Sequence, residues 1–223
     1  MLQRKQVPPH QVSEPERTPP APMNLILPDR PFAGYIFDCD GTLVDSMPLH
    51  YRAWSASFRH HGAPFEWDEA RFYASAGVPD REIVAELNAE YGCQLDGDEI
   101  HETKAEWFVR HLHELTPVDA VAAIVREFHA RGEKIAVATG SDISIVDPEL
   151  HHVGLRQYFE IIVTPADVLR GKPAPDMFLL AAEKMGVDPA DCLVFEDGKA
   201  GIQAADAAGM ASVFVPSAPT AFC

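Results

Sequence analysis

"YIFDCDGTLVDS", residues 35–46, ends an apolar run on two carboxylates two positions apart, Asp38 and Asp40. Like charges this close raise each other's pKa, and burying each one costs desolvation. A chain that places both where a buried strand stops is expected to compensate them, with a cation or with an anionic substrate.

The same kind of apolar run recurs downstream. "GYIF" (34–37), "KIAVAT" (134–139), "EIIVT" (160–164), "CLVF" (192–195) and "ASVFV" (211–215) read as strands. Between the later ones lie "PVDAVAAIVREFHARG", "PDMFLLAAEKMG" and "KAGIQAADAAGM", apolar at helical spacing with a glycine near each end, where a left-handed cap is wanted. Near-continuous apolar strands alternating with helices predict an α/β fold with a parallel sheet covered on both faces.

One interval breaks the rhythm. The first strand ends at Phe37 and the second starts at Lys134, whereas a βα unit takes about 30 residues. The excess reads as helices: "HYRAWSASFRHHG", "WDEARFYASAG", "DREIVAELNAEYG" and "DGDEIHETKAEWFVRHLHEL". The expected organisation is a core from 31–46 and 119–223, with an all-α cap, 47–118, inserted directly after the two aspartates. A cap there is placed to close over whatever binds. Residues 1–30, with "QVPPHQVSEPERTPPAP", are proline-rich and polar and are expected to be disordered, with Met23 as an alternative start.

Bulk properties narrow the partners. The 223 residues are 47% hydrophobic with a formal net charge of -16, a balance that attracts neither nucleic-acid phosphates nor an anionic membrane surface. The four cysteines form no CxxC pair and have no zinc spacing, so reduced thiols and a cytoplasmic location are expected. No apolar stretch approaches the roughly 20 residues of a membrane span. A monomer is the expected state.

Parallel sheets bind ligands outside the carboxyl ends of their strands. There the chain delivers Asp38 and Asp40 from the first strand, and Thr139, Gly140 and Ser141 from the second. Lys172 follows the third strand in "GKPAPD", and Glu196 and Asp197 follow the fourth. Hard carboxylate oxygens suit Mg²⁺, commonly held by one or two carboxylates with waters and substrate phosphate. Lys172, Thr139 and loop N–H groups suit the charged oxygens of a transferring phosphoryl group. A carboxylate can attack phosphorus, and a neighbouring carboxylic acid can protonate the leaving alkoxide.

"DCDGT", the strand ending in Thr139, "GKPAPD" and "FEDGKAGIQAADAAGM" together resemble the four ordered motifs of the haloacid dehalogenase superfamily, over roughly residues 33–215. The insertion point and "DSMPLHYRAW" resemble its β-phosphoglucomutase-like branch. "VATGS" and "GKPAPDMFLLAAEKMGV" are similar to small sugar-phosphate phosphatases acting on compounds such as fructose 1-phosphate or 6-phosphogluconate. The resemblance implies a Rossmann-like three-layer core with an all-α cap. It implies Asp38 as nucleophile, Asp40 as general acid/base, and Thr139, Gly140 and Lys172 as phosphate-binding. Mg²⁺ would be held by Asp38, Glu196, Asp197 and the backbone carbonyl of Asp40. Asp38 is then expected to stay ionised while Asp40 cycles its proton.

In the cap, His50 and Arg81 are candidates for reaching substrate, whereas Arg52, two positions from His50, cannot share its face squarely. Arg81 is displaced by one position from the phosphate-holding arginine of phosphoglucomutases. Gly198 stands where relatives often carry serine. Pro148 falls in the helix expected after Thr139, where an interior proline costs about 3 kcal/mol, so a fresh helix capped by Asp147 with Pro148 first is expected. Cys39 is read as a small core residue. His60, His61, His151 and His152 are read as ordinary surface or packing residues.

The implied activity is a Mg²⁺-dependent phosphatase of small sugar phosphates working through an aspartyl-phosphate on Asp38. A β-phosphoglucomutase is the alternative, and a non-catalytic binding protein on the same fold is the remote one.

Overall fold

A computed structural model describes residues 25–75 and 78–216. Its strands are β1 (Gly34–Phe37), β2 (Lys134–Ala138), β3 (Ile161–Val163), β4 (Cys192–Glu196) and β5 (Ala211–Phe214), all parallel, in the order β3-β2-β1-β4-β5. β1, the strand that carries the two aspartates, is therefore central. Sequence and structure agree to within a residue or two at each strand. The second run was expected to include Thr139, but β2 stops at Ala138 and Thr139 opens the loop beyond, its N–H still donating to the Val163 carbonyl at 3.0 Å.

Alternation along β1 fixes the layers. Tyr35 and Phe37 enter one apolar cluster with Val121, Val125, Ile145 and Leu150, from α5 (Asp119–Ala130) and α6 (Ile143–His152). Ile36 enters the opposite cluster with Met177, Phe178, Ala204 and Ala205, from α7 (Asp176–Met185) and α8 (Lys199–Ala207). The result is helix, sheet, helix: the three-layer α/β core that the sequence predicts. Phe37 stacks on Phe195 with ring centroids 4.6 Å apart, pinning β1 against β4 beneath the site. Each fully buried phenylalanine of this kind contributes roughly 1.5–3 kcal/mol.

Between β1 and α5 run α1 (Met47–His60), α2 (Glu69–Ala74), α3 (Asp80–Tyr91) and α4 (Gly97–Arg110). Trp54, Phe58, Trp67, Phe72, Ile83, Val84, Leu87 and Ile100 form an apolar cluster among these four helices, separate from the two sheet clusters. Asp96 caps α4 by accepting from the N–H groups of Asp98 and Glu99, and Asp68 caps α2 through the Arg71 N–H. Leu49, Ala53 and Phe108 belong instead to the sheet cluster, so α1 and α4 are the elements that pack this group of helices against the sheet's own cluster.

Pro148 departs from expectation. α6 runs unbroken from Ile143 to His152 with Pro148 inside it, and its N-cap is Asp142 rather than Asp147. The carbonyl that loses its partner belongs to Ser144, an exposed residue, so leaving it unpaired costs less than it would in the core. The expected disorder of the tail and the alternative start at Met23 concern residues 1–24, which lie outside those described. Residues 25–30 run without regular structure, and Arg30 donates to the Ala190 carbonyl at 2.9 Å. Among the described residues, no helix is long and apolar enough to cross a membrane.

Candidate active site

Register brings the first pair of functional carboxylates together. Phe37 is level with Phe195, and the Asp38 N–H donates to the Phe195 carbonyl at 3.0 Å, so Asp38 and Glu196 leave neighbouring strands side by side. The loop between β3 and α7 brings Lys172 over this edge. Its Nζ donates to Glu196 Oε2 at 2.7 Å and also to Asp38 Oδ1. All three side chains are buried.

Asp197 completes an acidic cluster: Asp38, Glu196 and Asp197 each place a carboxylate oxygen within 4.8 Å of the others. Thr42 Oγ1 donates to Asp197 Oδ1 at 3.3 Å. Three glycines leave room for these carboxylates. A Cβ on Gly201 would lie 2.0 Å from Glu196 Oε2, and one on Gly41, whose φ is +77°, would lie 2.1 Å from Asp197 Oδ2. The Gly198 N–H donates to Glu196 Oε1 at 2.9 Å, and a Cβ on Gly198 would lie 3.1 Å from that oxygen.

Asp40 occupies a separate setting one step beyond the strand. Its Oδ1 accepts from Ser46 Oγ at 2.7 Å and lies 2.7 Å from His50 Nε2, while its Oδ2 accepts from Ser141 Oγ at 2.5 Å. His50 stacks on Phe108 with centroids 4.1 Å apart, which fixes the ring. Ser141 is itself oriented, its N–H donating to Thr139 Oγ1 at 3.1 Å. The β2 loop and helix α1 thus converge on one carboxylate.

These settings drive the two aspartates in opposite directions. Burial pushes Asp38 well above the usual carboxylate range, the Glu196 charge adds to this, and Lys172 opposes it. Burial also acts to raise Asp40, but the His50 charge and the bonds from His50, Ser141 and Ser46 outweigh it and hold Asp40 far below that range. Burial works against the charge on Lys172, yet Asp38 and Glu196 together raise its pKa above that of a free lysine. With the protein's own groups alone, Asp40 is the readily ionised carboxyl and Asp38 is the one in want of positive charge. A hard cation among three carboxylates would supply it, so the donor set suits Mg²⁺ both in oxygen chemistry and in charge.

Asp38, Asp40, Lys172, Glu196, Asp197 and His50 are brought together, and Thr139 and Gly140 lie in the loop whose next residue holds Asp40. Arg81 is not brought in. It is 77% exposed and pairs with Asp98 at 2.5 Å. Arg52 turns away to Glu114 at 2.7 Å. Cys39 is fully buried, its thiol raised by burial and by Glu149, as befits an inert core residue.

Two features of the site were not anticipated from the sequence: the role of two serines, of which Ser141 is named there only for its place after the second strand, and a buried glutamate. Ser46 and Ser141 are the hydroxyls that hold Asp40. Glu149, on α6, is fully buried beside Cys39, its Oε2 3.7 Å from the thiol and its Oε1 without a hydrogen-bond partner among the described residues. Burial pushes its carboxyl well above the ordinary value, and the Asp40 charge adds to the rise. Its signal was available: Ile145, Val146, Glu149 and Leu150 share one helical face, and a glutamate does not belong on an apolar stripe.

Known proteins share this chain's sequence and fold. Fructose-1-phosphate phosphatase YqaB of Escherichia coli (strain K12) is 39% identical over 184 residues, covering 82% of this chain and 96% of its own. The crystal structure of CbbY from Rhodobacter sphaeroides in complex with phosphate superposes with a TM-score of 0.72 at 28% identity, over 81% of this chain and 84% of that one. β-Phosphoglucomutase from Clostridium difficile gives a TM-score of 0.71 at 25% identity, over 81% and 83%. The profile that describes the haloacid dehalogenase-like hydrolases matches residues 32–209, and with the strand-end carboxylates and lysine gathered at one edge, this chain belongs to that family.

Proposed function

We propose that the protein is a Mg²⁺-dependent phosphatase of small sugar phosphates that works through a phosphoryl group carried on Asp38. The observation that carries the reading is the convergence of Asp38, Lys172 and Glu196 at one sheet edge, with Asp40 held beside them by His50, Ser46 and Ser141. Likeness to a fructose-1-phosphate phosphatase over nearly that protein's whole length supports the substrate class. Residues 47–118 serve as a cap over the site in this reading.

Asp38 attacks phosphorus through a carboxylate oxygen, forming the Asp38–phosphorus bond as the bond to the sugar oxygen breaks. Asp40 gives its proton to the departing alkoxide. The bonds from His50, Ser141 and Ser46 hold Asp40 ionised in the free site, so this step requires Asp40 to take up a proton before the alkoxide leaves. Water then attacks phosphorus on Asp38, Asp40 takes its proton, and phosphate leaves. Lys172, Thr139 and the Gly140 N–H offset charge on the phosphoryl oxygens. Asp38, Glu196, Asp197 and the Asp40 carbonyl would hold Mg²⁺, which when bound supplies positive charge to the phosphoryl oxygens and to ionised Asp38.

Phosphate release from a panel of hexose and pentose monophosphates tests the substrate class. Turnover of sugar phosphates, lost in Asp38→Ala, is the expected result. An active Asp38→Ala enzyme would overturn the mechanism. A mutase is the second reading, favoured by the fold shared with β-phosphoglucomutase. Incubation with β-glucose 1-phosphate and a trace of the bisphosphate separates the two: inorganic phosphate marks a phosphatase and glucose 6-phosphate a mutase. The exposed position of Arg81, away from the carboxylates, favours the phosphatase.

A further inference from the structure

His101, on α4, lies between two carboxylates that belong to different parts of the molecule. Its Nδ1 is 2.8 Å from Asp80 Oδ2, at the start of α3 in the cap, and its Nε2 is 3.3 Å from Asp142 Oδ2, the N-cap of α6 in the core. A neutral imidazole has one N–H, so it satisfies one carboxylate and turns a lone pair toward the other. The imidazolium donates from both nitrogens. The contact at Nδ1 is a hydrogen bond and the one at Nε2 an ion-pair approach, which the protonated ring makes attractive.

The surroundings decide which contact fails when the proton leaves. Three charged groups bear on His101: Asp80 from α3, Asp142 from the core, and Lys104 on α4 itself. Lys104 Nζ also bonds Asp80 and lies 4.6 Å over the Trp54 ring of α1. The shorter contact, to Asp80, keeps the remaining N–H on Nδ1. The bare Nε2 then faces Asp142, and the link that breaks is the one between cap and core.

Asp142 directly follows Ser141, whose hydroxyl holds Asp40. A contact at Asp142 thus acts on the loop that forms one wall of the site. We propose that His101 is a positioning residue: doubly protonated, it latches the cap to the loop Thr139–Asp142, and on losing a proton it releases the cap. The hydrogen bond that His101 donates to Asp80 raises the His101 pKa above the ordinary value, against the opposing effects of burial and Lys104, and Asp142 adds to the rise. The latch is accordingly engaged below the raised value and lost as pH climbs through it.

The latch rests on the proposed phosphatase only for the choice of substrate, so two independent readouts test it. The first is the imidazole ¹H–¹⁵N spectrum of the full chain across pH. His101 is expected to titrate above the ordinary histidine value, with a midpoint that falls in Asp142→Asn. A midpoint that Asp142→Asn leaves in place overturns the latch. The second compares kcat/KM for a hexose monophosphate, which spans cap and core, with p-nitrophenyl phosphate, which needs only the core site. His101→Gln and Asp142→Asn are each expected to lower the sugar-phosphate value roughly two- to fivefold below the His101 midpoint, the range of a partly exposed ion pair. The double variant should be no worse than either single one, and all should converge with the parent at high pH. The aryl phosphate, which does not need the cap, should lose less than the sugar phosphate. Equal losses on both substrates, or additive losses in the double variant, would contradict the proposal. An enzyme that turns over the aryl phosphate but no sugar phosphate overturns the substrate class, and the imidazole titration then decides the latch.

Discussion

His50 Nε2 lies 2.7 Å from Asp40 Oδ1, on a helix that begins one residue after the Ser46 whose hydroxyl binds the same oxygen. One short segment, residues 46–50, therefore sets the protonation of the carboxyl that the proposed mechanism uses as acid and base. Replacing His50 by Ala removes the largest influence holding Asp40 low, so the Asp40 pKa rises. Its carboxylate, needed to deprotonate water, then forms only at higher pH. The acid limb of kcat should move upward, with activity reduced about tenfold or more at pH 6 and partly recovered at pH 8. Superimposable kcat–pH profiles for parent and His50→Ala would contradict this.

Gly201 matters for the space it leaves. Its added Cβ would overlap Glu196 Cδ and Oε2, both 2.0 Å away, whereas a Cβ on Gly171 would meet nothing within 4 Å among the described residues. Gly201→Ala should displace Glu196 and weaken Mg²⁺ binding by about 10- to 100-fold, as when a group supporting a metal ligand is lost. Gly171→Ala should bind Mg²⁺ as the parent does. Calorimetric Mg²⁺ titration of both variants is the check.

Lys172 separates Asp38 from Glu196, all three buried. Lys172→Met leaves two carboxylates facing each other without that cation, and breaking a buried pair in this way costs about 3–5 kcal/mol. Because Mg²⁺ can take over the compensation, the rise in Tm on adding Mg²⁺ should be larger for Lys172→Met than for the parent. Melting curves with Mg²⁺ and with chelator measure this. An equal rise in both would count against a cation among these carboxylates.

Glu149 offers a stability test with a defined sign. Its folded pKa is raised, so its contribution is fully present below the unfolded glutamate pKa and is lost as pH rises through the folded value. Glu149→Gln keeps the shape without that penalty. It should match the parent at low pH and exceed it at pH 8 by about 1 kcal/mol or more, roughly 2–4 °C in Tm for a chain of this size. A variant less stable than the parent at pH 8 would show that the glutamate is held by interactions that favour its charge.

Much of this architecture is legible in the sequence because parallel strands buried on both faces read as unbroken apolar runs, and the glycine after α7 sits in the left-handed cap that the pattern predicts. Pro148 resisted reading because its cost depends on whether the Ser144 carbonyl can reach water, which only the tertiary structure decides. In the site, Asp38, Lys172, Glu196 and Asp197 could be named from their strand ends. That Lys172 bridges two of them could not. Ser141 and Asp40 lie 101 positions apart, and His101 and Asp142 sit on different layers of the molecule. Such pairs carry no local periodicity, so their meeting follows from how the insertion and the β2 loop converge over one sheet edge.

The central claim is that Asp38 carries the phosphoryl group. Rapid acid quench of the enzyme with a sugar monophosphate and Mg²⁺, followed by mass spectrometry of the proteolysed chain, reads this directly. The account predicts a phosphate-sized mass increment on the peptide containing Asp38, absent from Asp38→Asn and from enzyme quenched without substrate. Turnover by the parent with no phosphorylated peptide, even in an Asp40→Asn background where hydrolysis of the intermediate is slowed, would contradict it.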